Sequence, residues 1–293
     1  MAKRHRYAAP AGALLAFALA FAAAPVIATA GPGPAIKLVP HRAVYAIKLE
    51  RAEHKSGVAA LEGRMVYELT GNRCDGYTQT MRLVTRLTDR EGRPSLSDIR
   101  SSSWEGAKGK RFRFRASTYR DRRLSEETSG NAERPPKGGV VTVRLKKPSP
   151  GTLELPGELV FPIQHSRAIL AAAAANRHAL RAATYDGSEQ GRKFYDTMTF
   201  IGRAYPANAD PALSPLKITG DGQLDQLVSW PVVVSYYDPT AGPGDGLPTY
   251  EMTFRFYANG VSRRLLMDYG DFAIRGRLES IEFLANSGCN EPQ

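Results

Sequence analysis

"TYEMTFRFYANGVSRRLLMDYG", residues 249–270, alternates apolar and polar side chains around Asn259-Gly260. Tyr250, Met252, Phe254 and Phe256 fall on one face before the turn, the period of two that a half-buried strand requires. Asn-Gly is the strongest short signal for a two-residue hairpin turn. The stretch therefore predicts an antiparallel hairpin with one buried face.

The same alternation recurs along the chain. It predicts strands over 41–51, 61–70, 76–88, 96–106, 110–118, 122–130, 139–147, 181–188, 192–202, 226–238 and 272–284. Turn residues such as "DREG" (89–92) separate them. Pro231 within 226–238 lacks an amide proton and predicts an edge position or a bulge. Pro/Gly-rich stretches at 129–139, 204–215 and 238–248 read as surface connections. None is long enough to demand a domain boundary, and no internal repeat stands out. The expectation is a mainly β protein, one antiparallel sheet in one domain over 31–293.

One segment departs from that period. "LVFPIQHSRAILAAAAANRHAL" (159–180) is Ala-rich and has no β-branched run. Pro162 suits the first helical turn, and Arg177 and His178 suit the last. The reading is a helix over about 162–178, with Ile163, Ile169 and Leu170 as its apolar stripe, packed against or into a curved sheet.

The N-terminus sets the compartment. "MAKRHRY" carries Lys3, Arg4 and Arg6, and an uncharged Ala-rich stretch follows, ending Ala28-Thr29-Ala30. Small residues before Gly31 fit signal-peptidase cleavage after Ala30, and Pro10 and Pro25 argue against a retained anchor. Residues 1–30 are therefore expected to be a signal peptide and the protein to be periplasmic. No cysteine near the cleavage point suggests a lipid anchor. The whole chain has a net charge of +11, of which this leader supplies three. The remaining excess favours anionic partners such as lipid head groups. An exported chain with no nucleic-acid-binding motif is not expected to bind nucleic acid.

The only two cysteines are Cys74 and Cys289. Export favours their oxidation to a disulfide. No C-x-x-C supplies a redox or zinc spacing, and no Cys/His signature frames a thiol nucleophile. The histidines after the leader, His41, His54, His165 and His178, form no metal-ligand motif. His165 adjoins Ser166, but neighbouring helical residues point apart and cannot work as base and nucleophile. "YDGSEQG" (185–191) lacks the acidic series of a calcium loop and reads as a turn. No catalytic site, metal or cofactor is expected. The alternative is an envelope hydrolase with a dispersed site using His165 or His41. Arg111, Arg113 and Arg115 share one strand face opposite Phe112 and Phe114. With Arg122 and Arg123 across a turn at 119–121, they form a candidate anionic-ligand face. Trp104 and Trp230 read as core residues.

Five stretches in order carry a family resemblance. They are "LVPHRAVYAIKLERA" (38–52), "SGVAALEGRMVYELTGNRCDGYT" (56–78), "RFRF" (111–114), "ELVFPIQHSRAIL" (158–170) and "YDGSEQGRKFYDT" (185–197). Together they resemble the cell-envelope integrity EipB family of alphaproteobacterial periplasmic proteins, from about His41 to Cys289. The resemblance implies a β-spiral, a long curved antiparallel sheet around a helix, similar to the lipoprotein carriers LolA and LolB. It also implies a disulfide at positions matched by Cys74 and Cys289, a role in envelope maintenance without established catalysis, and a periplasmic tetratricopeptide-repeat protein as functional partner. A carrier-like fold would hold an acyl chain on the concave face of the sheet.

Overall fold

The computed structural model describes residues 36–136, 138–209, 221–240, 246–285 and 288–289. The expected leader 1–30 and parts of the loops 204–215 and 238–248 lie outside the described residues. Fourteen strands form one antiparallel sheet. They are β1 (His41–Ala52), β2 (Val58–Asn72), β3 (Gly76–Asp89), β4 (Pro94–Glu105), β5 (Arg111–Arg120), β6 (Arg123–Glu133), β7 (Val141–Lys147), β8 (Gly151–Leu155), β9 (Ala179–Thr184), β10 (Tyr195–Ile201), β11 (Ser229–Tyr237), β12 (Tyr250–Tyr257), β13 (Ser262–Asp268) and β14 (Phe272–Phe283). Helix α1 (Pro162–Ala174) falls between β8 and β9.

The spatial order is 8-7-6-5-4-3-2-1-14-13-12-11-10-9. The chain starts in the middle of the sheet, walks by hairpins to one edge, crosses through α1 to the other edge, and walks back. β14 then pairs β1 from His41↔Phe283 to Ala52↔Phe272. The β9 edge is not left bare. Val160 donates its amide to Ala183 and accepts from Tyr185, covering β9 beside the crossover, which restrains edge-to-edge association.

Hairpins alternate ends, so the sheet has two ends of different character. At the helix end lie the β2–β3, β4–β5 and β12–β13 turns and the start of β1; at the far end lie the β1–β2, β3–β4, β5–β6, β11–β12 and β13–β14 turns. The helix buries Ile163, Ile169, Leu170 and Ala172 against Leu69, Tyr77, Trp230, Val232 and Phe256. A second cluster joins Phe112, Phe114, Val143 and Leu145 to Phe161 and Tyr185. Here Gly187 (φ +79) lies against the Phe114 ring and Gly191 (φ +73) against Leu145, with no room for a Cβ at either. "YDGSEQG" is thus a packed closure between the two arms of the sheet rather than a plain hairpin turn.

Three expectations need correction, and one strand has no counterpart among them. The helix ends at Ala174, before 178. Asn176 turns left-handed (φ +55) and the Arg177 amide returns to the Ala172 carbonyl, so Arg177 and His178 lie past the end. His178 instead places Nδ1 2.9 Å from the Ile201 carbonyl, at the start of β9. At Asn259-Gly260 only the glycine has positive φ, whereas a two-residue type I′ turn needs both. The Tyr257 amide reaches the Val261 carbonyl, giving a three-residue loop. Pro231 lies inside a strand paired on both sides, opposite Arg255. Its ring nitrogen is tolerated because β10 has ended: its carbonyl receives the Gly202 amide, and no donor is needed there. Finally, β8 was not anticipated. Only five residues long and exposed on alternate positions, it offers too short a pattern to read.

Candidate functional site

Two surfaces carry chemistry, and strand parity separates them. On β5, Phe112 and Phe114 point inward and are buried while Arg111, Arg113 and Arg115 point outward. Cross-strand pairing fixes the inward set on the neighbours. Glu105, Phe112 and Ala132 share one row with Tyr77, while Leu83, Ile99 and Thr118 share another.

These two rows differ in burial. The first lies at the helix end, with exposures of 3% for Tyr77 and Glu105 and 0% for Phe112 and Ala132. Towards the far end, Met65, Met81, Leu83, Leu87, Ile99 and Ala116 point inward yet stay half-buried. The helix fills one end of the curve; Met65, Leu83 and Leu87 pack instead on a further core cluster that includes Tyr45, Ile47, Leu61 and Leu278, and stay half-buried. Three large hydrophobic residues are exposed at turns of that far end: Leu124 (54%), Leu247 (85%) and Tyr269 (43%). An aromatic row runs beside them. Tyr236 stacks on Tyr250 at 4.2 Å, Tyr195 packs edge-on to both, and Tyr269 stacks on Tyr250 and Phe272.

The helix end is secured by polar contacts that the sequence does not announce. Glu105, at the end of β4, accepts the Ile163 amide at 2.8 Å and the Gln164 amide at 3.1 Å. A buried carboxylate thus satisfies two of the free donors at the N-terminus of α1. Burial pushes its pKa up to about 7, while the two amides and the charges of Arg167 and Arg134 pull it down. Arg134 donates to the carbonyls of Gly157, Gly109 and Leu159 and lies over the Phe161 ring. The only signal for Glu105 was its parity: it occupies an inward position on an alternating strand.

At the same end a disulfide joins Cys74 to Cys289 across 215 residues, with Cα atoms 5.7 Å apart. Asn72 shapes the turn before it, its Oδ1 accepting the Cys74 and Asp75 amides. Cys74 is a clasp rather than a reactive thiol.

The candidate catalytic histidines are embedded in packing. His41 is buried, with Nδ1 2.7 Å from the Val39 carbonyl and its ring beside Tyr67. His165 is buried, which lowers its pKa to about 4. Its Nε2 lies 3.5 Å from Thr197 Oγ1, whose proton goes to the Ala182 carbonyl at 2.8 Å. That hydroxyl is not set up as a nucleophile. Among the described residues no group of three His, Cys, Asp or Glu could hold a metal, and no helix is long and apolar enough to cross a membrane.

The outward arginines do not act alike. Arg115 pairs with Glu127 at 2.9 Å. Arg111 and Arg113 lie over the Trp104 ring, 5.7 and 5.2 Å from its centroid. Trp104 is therefore a half-exposed residue of the outer face, not core, whereas Trp230 is buried. The hairpin beyond turns at Asp121-Arg122, both with positive φ, and sets Arg123 opposite Arg120.

Comparison with known proteins agrees with this architecture. A family model described as EipB-like matches residues 32–285. The chain is 37% identical over 262 residues to the cell envelope integrity protein EipB of Brucella abortus, covering 89% of this chain and 90% of that protein. It also matches the crystal structure of a beta-barrel-like protein of domain of unknown function DUF1849 from Brucella abortus. That match has a TM-score of 0.79 at 36% identity, covering 86% of this chain and all of the other. With the sheet, the helix between its arms and the family match in agreement, the chain belongs to the EipB-like family.

Proposed function

We propose that this is a non-enzymatic periplasmic protein that supports envelope integrity by binding an elongated apolar ligand, such as the acyl chain of an envelope lipid or lipoprotein. The ligand lies on the inner face of the sheet, between α1 and the far end. The carrying observation is the half-buried strip of Met65, Met81, Leu83, Ile99 and Leu87: inward apolar side chains only partly covered by the core cluster beside them offer a groove to an apolar ligand. Exposed Leu247 and Tyr269 supply apolar contacts where such a chain would enter. The likeness to lipoprotein carriers that the family resemblance implies points the same way but does not fix the cargo. A tetratricopeptide-repeat protein of the same compartment is the partner that the family resemblance suggests.

The test is lipid mass spectrometry on protein purified from its native envelope fraction. The parent protein is expected to carry acyl-chain lipid, and Leu83→Asp with Met81→Asp to lose it while keeping its melting temperature within a few degrees. A parent protein free of lipid under gentle extraction would overturn the reading.

A further inference from the structure

The geometry points to a second binding site, on the outer face of β5 and β6, that takes an anionic saccharide: a sugar carrying phosphate or carboxylate. A groove of about 490 Å³ runs there, lined by Arg111, Arg113, Ser129, Asn131, Glu133 and Lys146 together with the backs of Phe112 and Phe114. Its size falls within the ordinary range for small-ligand sites.

Charge in the groove is unevenly compensated. The acidic wall residue, Glu133, is engaged by Arg144 at 3.1 Å. Among the described residues no carboxylate forms an ion pair with Arg111, Arg113 or Lys146, in contrast to Arg115 and its Glu127. Three cations thus face one groove with their local counter-charge already committed.

The two guanidiniums are also ordered. Both lie over Trp104, which restricts side chains that would otherwise move freely and reduces the entropy lost when they grip an oxyanion. Two positions apart on one strand, they stand roughly 7 Å from each other, a spacing that spans two groups of one ligand rather than a single ion. Asn131 lies directly across from Arg113, and Ser129 across from Arg115. An amide and a hydroxyl beside the cations offer donors and acceptors for sugar hydroxyls. A peptide is the poorer fit. β5 and β6 are hydrogen-bonded on both sides, so no free edge can accept an added strand.

The chain has only two tryptophans and Trp230 is buried, so Trp104 fluorescence reports on this site. The intact protein is titrated with a phosphorylated glucosamine disaccharide, its dephosphorylated form, a galacturonate oligomer and inorganic phosphate, with calorimetry as a second readout. Comparing the first and third probes distinguishes phosphate from carboxylate as the charge source. At least one charged saccharide is expected to bind at least tenfold more tightly than the neutral disaccharide. Arg111→Gln with Arg113→Gln should weaken it more than tenfold, whereas Arg115→Gln should change it less than twofold. Equal binding by the double variant and the parent would overturn the site. So would equal binding of neutral and charged sugars, or inorganic phosphate alone binding as tightly as the phosphorylated disaccharide.

Discussion

The two ends of this sheet are built from the same alternating strands but finished differently. At the helix end, inward rows are covered by α1, the N-terminal segment around Leu38 and the disulfide. Gly260 leaves room for Leu38, and Tyr77 donates its hydroxyl to the Leu38 carbonyl. At the far end, inward apolar positions on β2 to β5 remain half-buried and turn residues expose Leu124, Leu247 and Tyr269. One end is sealed by the helix, while at the other the inward side chains of β2 to β5 lie half-buried against a core cluster that includes Ile47, Leu61 and Met267, so the two regions should respond differently to mutation.

The largest test of that contrast removes the clasp. Cys74→Ser should lower unfolding free energy by about 5 kcal/mol on the chain-entropy account of a loop of this length, measured by denaturant titration of the oxidised parent and the variant. A loss below 1 kcal/mol would show that packing at the helix end holds without the bond.

A second comparison sets matched leucines against each other. Leu170→Ala, in the fully packed stripe of α1, is expected to cost about 3 kcal/mol, whereas Leu83→Ala on the half-buried strip should cost about 1 kcal/mol or less. Equal losses would erase the distinction between the two ends.

The smallest expected effect is on pH dependence. In the folded protein Glu105 holds its proton up to about pH 7 against an unfolded value of 4.5, so its contribution to stability is greatest in acid and is lost as pH rises through 7. His165 behaves oppositely. Its folded pKa of about 4 lies below 6.5, so its contribution is present at neutral pH and is lost as pH falls towards 4. Between about pH 4.5 and 6.5 the two slopes oppose and flatten the parent's profile. Glu105→Gln should leave His165 unopposed, so that stability falls on acidification through this window by on the order of 1 kcal/mol or more. Thermal melts at pH 5 and 7 measure it; a variant whose profile matches the parent's would remove Glu105 as a titrating group.

Much of the fold could be read from the chain. Strong alternation, as on β5 and β12, gave strand positions to within a few residues, because one face of each must be apolar. Less was legible at the candidate sites. Glu105 lies 58 residues from Ile163, whose amide it receives, and nothing local to either marks the pairing. Trp104 read as core because it is large and apolar, yet parity puts it outside, where Arg111 and Arg113 cover it. The expected helix ran too far because Arg177 and His178 suit a last helical turn, whereas the chain turns left-handed at Asn176 just before β9.

By itself the sequence determined the secondary-structure class, the helix α1, the alternation of the strongly patterned strands and the cysteine pair, since these follow from side-chain period and composition. Only the tertiary structure decided which inward faces are covered. That depends on where one helix of thirteen residues is set down within a sheet of fourteen strands. The helix is too short to fill the whole curve, and the apolar side chains it does not reach stay half-buried.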